Sequence, residues 1–363
     1  MFCTSFLLLL IIIITLFSIA NGNSNSTSIN AKNGTYPRFV NSEEQLSLYK
    51  DAKKLKDAML GLGTDEDTII SILTSRKSSE RMRISYFYRL EYNDQFDYDL
   101  SNELSGNFKK IMLALMTDPS EFLAQTVSDC INKKNPIDDS CVISILCTRT
   151  KDELIAIMNK YITISGQTDA LLNQIDAKMS GDYKIFMRTM LTPTRCQAPV
   201  RCIREKGQVN LTLVQENIKL IPKKPDDCVV SENNQGLMTM MAKDSFEQLH
   251  LIISEYERKH NSSVTEAITA HCSDKTLAQA YNTIVSYAKN PAGFYAQVLK
   301  KSTEGFGTDD TTLIRTIVSR HEIDLAEIKQ TYKQMYGTTL AADVAGDTSG
   351  YYKKALLALI GPQ

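Results

Sequence analysis

The sequence predicts an all-α fold made of four repeats of five short helices each, on three observations. Glycine (16) and proline (9) are scarce in 363 residues, and Leu, Ile, Ala, Met and Lys are common, which favours helix over sheet. Apolar residues recur at helical spacing, as in Leu46, Tyr49, Ala52, Leu55 and Met59. The stretch from Gly61 to Arg76 returns at Gly305 to Arg320, offset by 244 residues and identical at eight of its sixteen positions. The same offset aligns SGNFKKIMLALM (105–116) with SGYYKKALLALI (349–360), so the chain reads as an internal repeat before any single element is assigned.

The N-terminus stands apart from these repeats. Residues 1–22 hold an apolar run from Phe6 to Ala20, broken by Thr15 and Ser18 and followed by Ala20 and Gly22. As a helix the run reaches roughly 22 Å, short of the ~30 Å hydrocarbon core, and reads as a secretory signal peptide. It lacks a basic residue at its start, which leaves an uncleaved anchor as the alternative. Residues 23–40 are rich in Asn and Ser and read as disordered. Sequons lie at Asn25, Asn33, Asn210 and Asn261.

The first repeat spans 41–117. Its first helix ends at the two-glycine turn, and DEDTIISILTSR gives the second. The third opens with Ser78 as N-cap, with Arg81 at the capping-box position. DYDLSNEL and NFKKIMLALM complete the five, and Asp118-Pro119 ends the unit. The second repeat (118–192) is degenerate, with Arg149 in the place of Arg76. Residues 193–225 read as a linker. A degenerate third repeat (226–290) and a clear fourth (291–363) follow.

In Met59-Leu60-Gly61-Leu62-Gly63-Thr64 one helix stops and the next starts within a few residues. Glycine accepts positive φ and lets carbonyl oxygens converge. Thr64 is placed to cap the next helix, with Asp67 at the box position. A turn that gathers oxygen ligands suits a hard cation such as Ca²⁺, provided a carboxylate joins it. Glu103 and Asp347 each lie forty residues after the second glycine of their repeat, directly before a Ser-Gly pair.

These residues resemble the annexin family, whose pattern of glycine-x-glycine-threonine followed about forty residues later by Asp or Glu occurs twice here. The resemblance covers Asn41 to Gly361. It implies a curved disc, backbone ligands from Met59, Gly61 and Gly63, and a bidentate carboxylate from Glu103. In repeat four the equivalents are Thr303, Gly305, Gly307 and Asp347. Thr64 and Glu66 form a weaker accessory site; Thr308 and Asp310 match them, but Asp310 is one carbon shorter. In repeat two the glycine positions fall on Lys134 and Pro136 and the acid position on Lys178, or on Asp176 if a two-residue insertion is ignored. In repeat three His271 stands where the acid belongs. No such calcium site is expected in either. The implied function is calcium-dependent binding to anionic, phosphatidylserine-like phospholipid membranes.

Charge and spacing exclude other classes. The 41 basic and 42 acidic residues nearly cancel, so nothing points to nucleic acid. A Rossmann loop needs a strand before its glycines, and the EF-hand spacing is absent. The four histidines show no zinc pairing, and no nucleophile–base–acid set marks an enzyme. Of eight cysteines, Cys141, Cys147 and Cys272 fall in apolar helical contexts and read as buried free thiols. Cys196 and Cys202 flank a loop and are candidates to pair if the chain is exported. The expected location is secreted and peripheral to a membrane; without a working signal it is the cytoplasmic face. The competing function is an exported scaffold or host-facing interaction protein whose membrane binding has largely decayed.

Overall fold

The computed structural model describes residue 40 and residues 42–192 and 209–362, apart from 62, 134–135, 232–233 and 306. The expected signal peptide (1–22), the polar segment up to residue 39, and Cys196 and Cys202 lie outside the described residues.

Twenty α-helices occur among the described residues, with no strand beyond one isolated bridge between Ser231 and Asn234. Repeat one holds α1 (Glu43–Ala58), α2 (Glu66–Ser75), α3 (Ser78–Tyr92), α4 (Phe96–Glu103) and α5 (Gly106–Met116). Repeat two holds α6 (Pro119–Asn132), α7 (Asp139–Leu146), α8 (Lys151–Ser165), α9 (Ala170–Lys178) and α10 (Gly181–Leu191). Repeat three holds α11 (Leu211–Asn217), α12 (Gly236–Lys243), α13 (Phe246–His260), α14 (Val264–His271) and α15 (Lys275–Lys289). Repeat four holds α16 (Pro291–Ser302), α17 (Asp310–Arg320), α18 (Leu325–Tyr336), α19 (Leu340–Asp347) and α20 (Gly350–Ile360).

Local chemistry explains where these helices begin. Asp118 Oδ1 accepts from the amides of Ser120 and Glu121, each at 3.1 Å, and Pro119 takes the first helical position of α6, where a missing N–H costs nothing. Thr150 and Glu153 form a capping box on α8. At α3 the cap lies one residue earlier than the sequence suggests. Lys77 is the N-cap, and its amide donates to Glu80 Oε2 at 2.8 Å. Arg81 is thereby released from the box and enters the interior, 2% exposed. Its Nε donates to Leu115 O at 2.7 Å and its Nη2 to Glu322 Oε1 at 2.9 Å.

In every repeat the first helix packs on the third. The repeats then pair crosswise. Helix α2 packs on α20 while α17 packs on α5, joining repeats one and four; α7 packs on α15 and α12 on α10, joining two and three. Two separate apolar cores result. One runs from Leu48 to Met116 and Ala292 to Ile360, the other from Leu123 to Ala288. The crosswise contacts carry polar links: Lys354 Nζ meets Asp67 Oδ1 at 2.9 Å, and Asn107 Nδ2 donates to Asp310 Oδ2.

Two expectations change. The stretch 193–225, read as a linker, contains α11, which packs against α12 and α13 as the first helix of repeat three; the short helix breaks off near the proline-lysine run and so carries little periodicity. Cys141 and Cys272 are not free thiols. Cys130 is bonded to Cys141 and Cys228 to Cys272, with Cα–Cα distances of 6.2 and 5.1 Å. The partners come together through helix packing, which residue spacing does not reveal. Cys147 is buried and keeps its thiol outside any disulfide.

Candidate metal centres

Each glycine turn is closed at its base by one backbone hydrogen bond. Asp65 N donates to Ala58 O at 2.8 Å, and Asp309 N to Ser302 O at 2.9 Å. Within the loop φ is +99° at both Gly61 and Gly63, +103° at Gly305 and +91° at Gly307. Any other residue would be strained there, although a Cβ at any of the four meets nothing within 4 Å. It is therefore backbone conformation, not lack of room, that requires glycine. The carbonyls of Met59, Gly61 and Gly63, and those of Thr303, Gly305 and Gly307, accept no hydrogen bond among the described residues.

The cap of the second helix differs from the sequence expectation. Asp65 is the N-cap of α2, accepting from Thr68 N at 3.0 Å, and Asp309 caps α17 in the same way. Those amide bonds hold the Asp65 carboxyl below its usual range. Because the aspartate does the capping, the threonine hydroxyl is free to turn the other way. Thr64 Oγ1 donates to Glu103 Oε2 at 3.1 Å. Thr308 Oγ1 donates to Asp347 Oδ2 at 2.5 Å. The carboxylate some forty residues away thus meets the residue that follows the second glycine, once in each repeat.

Glu103 and Asp347 are the last residues of α4 and α19. One helical turn earlier, a polar cluster anchors each of these helices. Tyr88 Oη donates to Asp99 Oδ2 at 2.6 Å and Lys56 Nζ to the same oxygen at 3.0 Å. In repeat four, Tyr332 Oη donates to Asp343 Oδ2 at 2.6 Å and Lys300 Nζ at 2.9 Å. Burial raises the pKa of each aspartate, but the tyrosine and lysine hydrogen bonds outweigh it and hold both below the usual carboxylate range. The sequence reading missed these three pairs. The signal was present, since Lys56, Tyr88 and Asp99 return as Lys300, Tyr332 and Asp343 at the 244-residue offset.

The two accessory positions are not equivalent. Glu66 makes no hydrogen bond or ion pair among the described residues, whereas Asp310 accepts from Asn107. Burial, and then the neighbouring Asp310 carboxylate, push the Tyr352 phenol up. Phe108 stands in repeat one where Tyr352 stands in repeat four, so Glu66 has no such neighbour.

In repeats two and three the last residue of the fourth helix is Lys178 and His271. Neither offers an oxygen. Lys178 Nζ instead donates to Ile131 O at 3.1 Å and to Asn132 Oδ1 at 3.0 Å. The unshifted alternative, Asp176, pairs with Arg188. No group of three or more His, Cys, Asp or Glu converges among the described residues; a donor set dominated by carbonyls needs only one carboxylate.

Comparison with known proteins fits this arrangement. The annexin family profile matches residues 50–115, 122–190 and 294–359. Annexin A13 of Mus musculus is 34% identical over 316 residues, covering 86% of this chain and 94% of that protein. The chain belongs to the annexin family. Annexin B10 of Drosophila melanogaster is also 34% identical, over 86% of this chain and 94% of its own. Among solved structures, an annexin A8 mutant superposes with a TM-score of 0.77 at 30% identity, covering 94% of this chain and 99% of that one. A calcium-bound annexin (Sm)1 superposes at 0.75 with 26% identity, covering 91% and 94%. Annexins have four repeats of five helices, the count found here. As a family they generally bind calcium and acidic phospholipid and are generally not enzymes. The third repeat lies outside the segments matched by the profile.

Proposed function

We propose that this annexin binds anionic phospholipid membranes in a calcium-dependent way through the turns of repeats one and four. The observation that carries the reading is the approach of Thr64 to Glu103 and of Thr308 to Asp347, at 3.1 and 2.5 Å. Each brings a carboxylate against a turn whose carbonyls accept no hydrogen bond among the described residues. Met59, Gly61, Gly63 and Glu103 would hold one ion; Thr303, Gly305, Gly307 and Asp347 would hold the other. Thr64 and Glu66 would make an accessory site in repeat one, and the Asn107 bond removes Asp310 from that role in repeat four. When bound, Ca²⁺ supplies positive charge and open positions for lipid phosphate oxygens. Three carbonyls and one carboxylate make a weak site, in the ~10⁻⁴–10⁻³ M range of extracellular modules. The chain contributes the rest. Leu60, 60% exposed in the first turn, offers apolar surface to the membrane interface.

Co-sedimentation with phosphatidylserine vesicles tests the reading. Pelleting is expected with calcium, not with chelator, and is lost in the double variant E103Q/D347N. Pelleting of that double variant at wild-type level would place binding on another surface.

A second reading, an exported scaffold, draws on the disulfides Cys130–Cys141 and Cys228–Cys272. Disulfides persist in oxidising compartments, which agrees with a signal peptide at 1–22. No described helix is long and apolar enough to cross a membrane. Mass spectrometry of the mature N-terminus decides export: a chain starting at Asn23 supports it, and one retaining residues 1–22 opposes it. Wild-type protein that fails to pellet with calcium would favour the scaffold.

A further inference from the structure

In repeats one and four the turn between the first two helices and the end of the fourth helix meet through a side chain, and under the calcium reading the ion joins them. The same two places meet in repeats two and three through different chemistry. In repeat two the fourth helix ends on Lys178, whose ammonium donates to Ile131 O at 3.1 Å and to Asn132 Oδ1 at 3.0 Å, at the end of α6. A cation thus already sits against the carbonyl of the first helix, covalently attached where the other repeats carry an acid. The turn is further braced where Cys130, on α6, is bonded to Cys141, on α7. In repeat three, Cys228 ends the second of two short 3-10 helices between α11 and α12, and Cys272 is the residue that closes α14. Their disulfide spans 44 residues. The hydrogen bonds of Thr64 and Thr308 each span 39. Cys272 directly follows His271, the position of the missing acid.

We infer that Lys178 and the Cys228–Cys272 disulfide are metal-free replacements for the calcium closure, so that repeats two and three stay shut whether or not calcium is present. The inference rests on the calcium reading of repeats one and four. It makes one half of the molecule responsive to calcium and the other half indifferent to it. In repeat three, closure depends instead on redox state: a dithiol supplies two electrons and two protons, the S–S bond breaks to two thiols, and the dithiol leaves as its own disulfide.

Hydrogen exchange on the full chain tests this, since local opening is read directly from amide protection. In wild type, chelating calcium should speed exchange at Met59–Gly61, Gly63–Asp65 and Gly307–Asp309 and leave Ile131–Lys133 and Asp227–Val230 unchanged. Lys178→Met should speed exchange at Ile131–Lys133 by about tenfold with no rescue by calcium, and Lys178→Arg should stay near wild type. The double variant C228S/C272S should do the same at Asp227–Val230; if it does not fold, dithiothreitol added to folded wild type replaces it. Wild-type exchange in both K178M and the opened disulfide overturns the inference, as does calcium protection of the repeat-two and repeat-three turns. Failure of the calcium reading looks different: calcium then has no effect at Met59–Asp65 or Gly307–Asp309, whatever Lys178 and the disulfide do.

Discussion

At Gly63 the backbone holds φ at +99° in open space. Alanine there would add strain of about 1–3 kcal/mol without a clash. The expected result for Gly63→Ala is weaker calcium binding by titration calorimetry, with helix content by circular dichroism unchanged. Unchanged affinity would show that the turn tolerates another conformation. Thr64 tests the same loop from its side chain. Thr64→Val keeps the shape and removes the donor to Glu103. A hydrogen bond of this kind is worth about 0.5–1.5 kcal/mol, so calcium affinity of repeat one should fall about two- to tenfold. Both residues were visible in the sequence as part of a repeated motif. The role of Thr64 was not. Asp65 took the helix cap, and only the folded turn shows the hydroxyl directed at a carboxylate 39 positions on.

At the scale of the helix, α4 and α19 carry the carboxylates, and the Tyr88–Asp99–Lys56 and Tyr332–Asp343–Lys300 clusters set where those helices end. Asp99 and Asp343 titrate below their ordinary range in the folded chain. Their contribution is therefore complete above the unfolded carboxylate pKa of about 3.9 and is lost as pH falls through the folded value. Thermal stability should drop below about pH 4, and the double variant D99N/D343N should lack part of that acid limb. The same variant should weaken calcium binding without touching a ligand. If its calcium affinity matched wild type, these clusters would be packing features only. Arg81 is a further buried polar anchor, spanning from α3 to Leu115 O and to Glu322 of repeat four. Arg81→Ala should cost about 3 kcal/mol in urea unfolding, because it strands those partners. The sequence showed an arginine out of place in a capping box, and the one-residue shift to Lys77 explains it.

For the molecule as a whole, the decisive fact is the division into two cores. Both glycine turns belong to the core of repeats one and four, and both disulfides among the described residues lie in repeats two and three. Under the proposed function, two weakly binding turns on one body would add avidity, so E103Q or D347N alone should lower apparent vesicle affinity by about 10²-fold. Attachment should be through one half of the molecule. The chain has no tryptophan, so a single introduced one reports its surroundings cleanly. Leu60→Trp should shift to the blue on phosphatidylserine vesicles with calcium. Val229→Trp, at a position 44% exposed beside Cys228, should not. A blue shift at both would mean that repeat three also reaches the lipid.

The sequence by itself determined the helical class, the fourfold repetition and the identity of the two glycine turns with their distant acids. These are carried by local preference and by a copied motif, and neither needs three-dimensional contact to be read. Tertiary structure alone decided which cysteines pair, that a helix lies inside the apparent linker, that Asp310 is held by Asn107, and that Lys178 reaches the α6 carbonyl. Each of these depends on which surfaces meet when the helices pack, within a repeat for the disulfides, the extra helix and Lys178 and between repeats one and four for Asp310, and that packing leaves no periodic trace in a linear chain.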